Sequence, residues 1–81
     1  MVTVLRASGL RVAIYLDDHR PPHVHVFGDG EAKIDLRGAN GKPVLVWAIR
    51  MSRSELKRAV QLVTDQQGAL LARWEEIHGG T

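Results

Sequence analysis

The stretch HVHVFGDGEAKIDL, His23 to Leu36, holds two short alternating runs around a Gly-Asp-Gly turn. Its pairing register determines which side of a sheet each residue takes, because a slip of one residue turns every side chain over. A two-residue loop at Asp29-Gly30 pairs His25 with Ile34 and leaves both faces mixed. A three-residue loop, Gly28-Asp29-Gly30 with Gly30 in the left-handed region, pairs His25 with Lys33 and His23 with Asp35. Val24, Val26, Ala32, Ile34 and Leu36 then share an apolar face, and His23, His25, Glu31, Lys33 and Asp35 share a polar one. Only this second register satisfies the binary pattern, which puts both histidines on the solvent side.

Upstream, VTVLRASG (Val2–Gly9) alternates loosely and ends in a Ser8-Gly9 turn signal. LRVAIYL (Leu10–Leu16) places Leu10, Val12, Ile14 and Leu16 on one face of a half-buried strand, so the two segments read as a hairpin. DDHRPP (Asp17–Pro22) is a loop, because each proline lacks an amide donor and biases its predecessor toward extended geometry. Downstream, RGANGKP (Arg37–Pro43) is a turn cluster, and VLVWAI (Val44–Ile49) reads as a strand buried on both sides. Ser52-Arg53-Ser54-Glu55 then fits a capping box. Leu56, Ala59, Val60, Val63, Gln67, Leu70, Trp74 and Ile77 follow as a helical stripe, apolar except for Gln67. Gly68 costs roughly 1 kcal/mol in a helix interior and allows a bend, but the stripe continues through it to Gly79-Gly80. The expected architecture is α+β, one domain over residues 1–81: an antiparallel sheet of about five strands with one C-terminal helix packed on one face.

At 81 residues the chain supports a single small core. It contains no cysteine, which excludes disulfides, thiolate zinc sites and cysteine nucleophiles. No apolar run approaches the roughly 20 residues of a membrane span, and the opening residues lack the pattern of a secretory signal, so a cytoplasmic location is expected. The net charge of +2 is too small to imply nucleic-acid binding by itself. Basic residues nevertheless gather at the helix start. Arg50, Arg53 and Lys57, beside free helix amides, form a candidate anion-binding site. The plainer alternative is a solvated face on which Glu55 pairs with Arg58. Trp47 and Trp74 both read as core residues.

His23-x-His25 on one strand sets two imidazoles on the same side, with their Cα atoms about 6.5 Å apart, a spacing that allows both to share a metal ion. A third ligand from the preceding loop is His19, with Asp17 and Asp18 as alternatives. The same three histidines, His19, His23 and His25, are candidate catalytic residues, since imidazole titrates near neutrality and Lys33, Asp35 and Tyr15 lie nearby in the pattern. A cupin-like reading through Glu31 fails on chain length and spacing. Against both readings stands an exposed strand whose histidines merely face Lys33 and Asp35, with Lys33 disfavouring a cation beside His25.

TVLRASGLRVAIYLDDHRPPHVHV, GEAKIDL and LLARWEEIHG together resemble the small bacterial family known as domain of unknown function four-one-six-zero. The resemblance spans nearly the whole chain and is carried most specifically by His19-x-Pro21-Pro22-His23-x-His25-Val26. The family commonly has asparagine where this chain has Arg20, and RGANGKPVLVWAIRM is a variable region. Members often resemble one half of a two-gene pair. The resemblance therefore implies a cytoplasmic interaction module of a toxin–antitoxin-like pair, acting on a protein partner encoded nearby or on RNA. Two alternatives stay open. One is a small hydrolase or nuclease using the histidines, with a divalent metal or with no cofactor at all. The other is a homo-oligomer that completes its core with a second copy.

Overall fold

The computed structural model describes residues 1–79, and the fold is α+β. Five antiparallel strands follow one another across a single sheet in chain order. They are β1 (Val2–Ala7), β2 (Leu10–Ile14), β3 (His23–Phe27), β4 (Glu31–Asp35) and β5 (Val44–Ile49). Two helices follow, α1 (Arg53–Asp65) and α2 (Gln67–His78).

The β3–β4 register is the one the apolar pattern demands: His23 pairs with Asp35, His25 with Lys33 and Phe27 with Glu31. Gly30, however, does not adopt positive φ. It is required there by close approach, because a Cβ would sit 2.0 Å from the carbonyl oxygen of Ile49. The β1–β2 turn does use the left-handed region, with Ser8 at φ 56° and Gly9 at φ 73°, as two-residue hairpin loops require. β2 stops at Ile14, so Leu16 lies beyond the sheet and is exposed rather than on the buried face.

Val12, Ile14, Val24, Val26, Ile34 and Leu36 form the core on one side of the sheet, closed by Ala59 and Val63 of α1 and Leu70 and Trp74 of α2. The expected single helix is two. The break falls at Gln66, whose φ and ψ of −109° and 16° leave the helical region, and not at Gly68. The adjacent Gln67 explains the one polar member of the stripe: its Nε2 donates to the carbonyls of Leu36 and Gly41, at 2.7 and 2.8 Å. That side chain holds the β4–β5 loop instead of packing in the core. Gly79 ends α2 at φ 80°, a left-handed C-terminal residue; Gly80, the second glycine of the expected stop, lies outside the described residues.

The capping box is half formed. Ser52 Oγ accepts from the Glu55 amide at 3.0 Å. The Glu55 carboxylate does not return to Ser52 and does not pair with Arg58. It is buried and accepts the Asp29 amide through both oxygens, at 3.1 and 3.0 Å. Arg58 donates to the Ser8 carbonyl. The first turns of α1 thus hold both hairpin turns, one through a carboxylate and one through a guanidinium.

β5 departs most from expectation. All six residues are exposed, Trp47 included, because β5 is the last strand of the sheet. A register shift between Lys33 and Ile34 leaves Val46 as an extra residue, a β-bulge. Leu45 therefore pairs with Ile34 toward the helices, while Trp47 pairs with Lys33 toward the opposite face.

Candidate metal centre

On the sheet face away from the helices, His23 and His25 are not solvent-exposed as expected: they retain 4% and 8% of their accessible surface. The cause is the loop between β2 and β3, which folds back over the strand, together with aromatic neighbours on either side. The Tyr15 ring meets the His25 ring edge-on at 4.4 Å, the two histidine rings lie 5.4 Å apart, and Trp47 stands 6.0 Å from His25. Tyr15 and Trp47 reach this face from β2's end and from β5.

Buried imidazoles need polar partners. Each has one at Nδ1. The Pro21 carbonyl accepts from His23 Nδ1 at 2.8 Å, and the Glu31 carboxylate accepts from His25 Nδ1 at 3.0 Å. Glu31 reaches His25 as a diagonal cross-strand neighbour on the same face. Neither oxygen can donate, so the proton of each ring is on Nδ1 and Nε2 is the nitrogen left for other chemistry. Imidazoles held this way, by a carbonyl or a carboxylate, are the usual form of histidine metal ligands.

His23 Nε2 lies 3.1 Å from Asp18 Oδ2. With Nδ1 already donating, a neutral His23 would set its lone pair against the carboxylate, so the contact is favourable only with a cation, either a second proton or a metal ion. Two ligands about 2.1 Å from one ion, at tetrahedral or octahedral angles, are separated by roughly 3.0–3.4 Å. Asp18, His23 and His25 each offer a ligand atom, and all three atoms lie within 4.8 Å of one another. Asp18 is itself oriented. The Tyr15 amide donates to Oδ2 and the Asp18 amide donates to the Tyr15 carbonyl, both at 3.2 Å.

The cluster opens on a cleft of about 470 Å³. Lys33 and Trp47 form one wall, and Asp17, His19 and Arg20 form the rim. His19, the third ligand expected from the motif, is exposed at this rim and outside the three-ligand cluster; Asp18 takes its place. Arg20 also lines the cleft, but its guanidinium is held by α2. Its Nη2 donates to both oxygens of Glu75, at 2.9 and 3.0 Å, and its guanidinium lies over the Trp74 ring. An exposed pair of this kind adds little stability, but it ties the Asp18 loop to α2. The Tyr15 phenol is pushed above its ordinary value of 10.0, first by burial and then by the charges of Glu31 and Asp18, with Arg11 opposing. It stays a neutral hydroxyl beside His25.

The residues of the candidate anion site border two clefts. Arg50, at φ 59°, lines a separate cleft with the acids Asp29 and Glu31, whereas Arg53 and Lys57 border a groove between β5 and α1. Trp47, which flanks the cluster of Asp18, His23 and His25, was not legible as a site residue, and Glu31 figured only in a cupin-like reading. Glu31 depends on a diagonal contact across a turn, and Trp47 on the bulge that turns it to this face.

Among the described residues, no helix is long and apolar enough to cross a membrane. No curated protein and no solved structure matches the chain. The model of the family described as domain of unknown function, DUF4160, matches residues 9–75, a segment containing Asp18, His23, His25, Glu31 and Trp47; the chain belongs to that family.

Proposed function

We propose that Asp18, His23 and His25 hold a divalent metal ion and that the domain is a small metal-dependent hydrolase acting on phosphate esters, a nuclease in its broadest class. The observation that carries this reading is the anchoring of both Nδ1 atoms, with three ligand atoms within 4.8 Å of one another. Two imidazoles and one carboxylate leave coordination positions open to the cleft, as catalytic sites do and closed structural sites do not. A bound ion supplies Lewis-acid activation of water and substrate. Lys33 attracts the substrate's negative charge to the cleft wall. His19, exposed at the rim, would take the proton that the attacking water gives up and return it to the departing ester oxygen.

Hydrolysis of an activated phosphodiester with added Zn²⁺ or Mn²⁺ tests this. The expected outcome is metal-dependent turnover that His25→Ala removes, with His19→Ala lowering kcat by about 100-fold or more. Metal binding without turnover would leave a metal-binding module and exclude the hydrolase.

A second reading is supported by β5: an interaction module of a toxin–antitoxin-like pair. An exposed apolar edge strand invites a protein partner. The acids Asp29 and Glu31 that share a cleft with Arg50 give RNA less support, and a homo-oligomer is treated below.

A further inference from the structure

We propose that the groove between β5 and α1 receives an extended, apolar, acid-bearing segment of a partner protein, which adds to the sheet as a sixth strand. This rests on the interaction reading and is independent of the metal centre.

The two edges of the sheet are unlike. β1 is half-buried and carries Arg6 within the strand, one of the charges that protect edges from unwanted pairing. β5 has no charged residue between Val44 and Ile49 and is exposed along its whole length. Among the described residues its outer backbone groups face no strand, since β4 occupies the other side. The bulge at Val46 breaks the regular ladder, so the edge suits a short strand better than a long one.

Alongside this edge runs a groove of about 380 Å³, floored by Leu45, Leu56 and Val60 and bordered by Arg53, Lys57 and Gln61. Both of its charged residues are cations. An extended segment presents alternate side chains to opposite sides, so apolar residues can fill the floor while acids between or beside them meet Arg53 and Lys57. The same charges argue against a second copy. A two-fold dimer built on this edge joins the same patch to itself and brings Arg53 and Lys57 toward their own symmetry mates.

The test uses the full chain and two labelled peptides, one alternating valine with glutamate and one alternating valine with lysine, followed by fluorescence anisotropy. The glutamate peptide is expected to bind about ten-fold more tightly than the lysine peptide, with an affinity that falls as salt rises. Arg53→Glu with Lys57→Glu is expected to reverse that preference. Both positions are exposed, Arg53 in the first turn of α1 and Lys57 at the start of the second, near the end where acids suit the helix dipole, so the variant keeps its fold, checked by circular dichroism. His25→Ala should leave peptide binding unchanged. Equal binding of the two peptides would overturn the acidic partner while sparing an interaction role. No binding of either would overturn both, and a free chain that dimerises through β5 would assign the edge to a second copy.

Discussion

β3 and β5 are strands of nearly equal length whose environments reverse what their residues suggest. β3 carries two histidines, yet four of its five residues are buried and only Phe27 is partly open. β5 is VLVWAI without a polar side chain, yet all six residues are exposed. Position in the sheet explains the reversal. β3 is the middle strand, with the helices on one face and the Asp17–Pro22 loop on the other; β5 is the edge, which α1 and the loop border but do not cover. An apolar run marks a buried strand only when there is enough protein to cover it. In a chain this small, one sheet face takes both helices and a single loop closes part of the other.

Identical substitutions on either side of this divide give the largest effect. Ile34, fully buried under the helices, should lose about 2–5 kcal/mol of stability when changed to alanine. Ile49, on β5 and 56% exposed, should change by no more than about 0.5 kcal/mol. Denaturant unfolding of the two variants compares them directly. A loss at Ile49 as large as that at Ile34 would mean that β5 is covered in solution.

A smaller effect reports on the histidine face itself. Tyr15 is the only tyrosine, so phenolate absorbance follows one group. In metal-free folded protein it should titrate above 10.0, and in urea at the ordinary value. Because the folded value is the higher one, Tyr15's contribution to stability is complete below about pH 10 and lost as pH rises through the folded value. Glu31→Gln should lower the folded midpoint part of the way, since burial is the larger cause. Coincident midpoints would show that the loop does not cover this face.

What the sequence made legible follows the reach of each signal. The β3–β4 register was readable because five apolar residues line up on one face in only one pairing, and hairpin pairing is local. The Ser52 cap was readable for the same reason. The helix break at Gln66 was not, since it accompanies an anchor from Gln67 to carbonyls of the β4–β5 loop, 26 and 31 residues away in sequence. The histidine pair was readable from its spacing. Its burial and its partner Asp18 were not settled, because both depend on how a proline-containing loop folds back over the strand. His19 belongs to the motif, but it is one residue past the position whose carboxylate reaches His23.

Calorimetric titration of untagged protein with Zn²⁺ therefore separates the two loop residues most directly. The geometry predicts one ion per chain, with affinity falling in acid because protons compete with the ion for the ligand atoms. Asp18→Asn should weaken binding by about 100-fold or more, while His19→Ala leaves it unchanged. Absence of binding by the unaltered chain, or an equal loss from His19→Ala, would contradict a centre built from Asp18, His23 and His25.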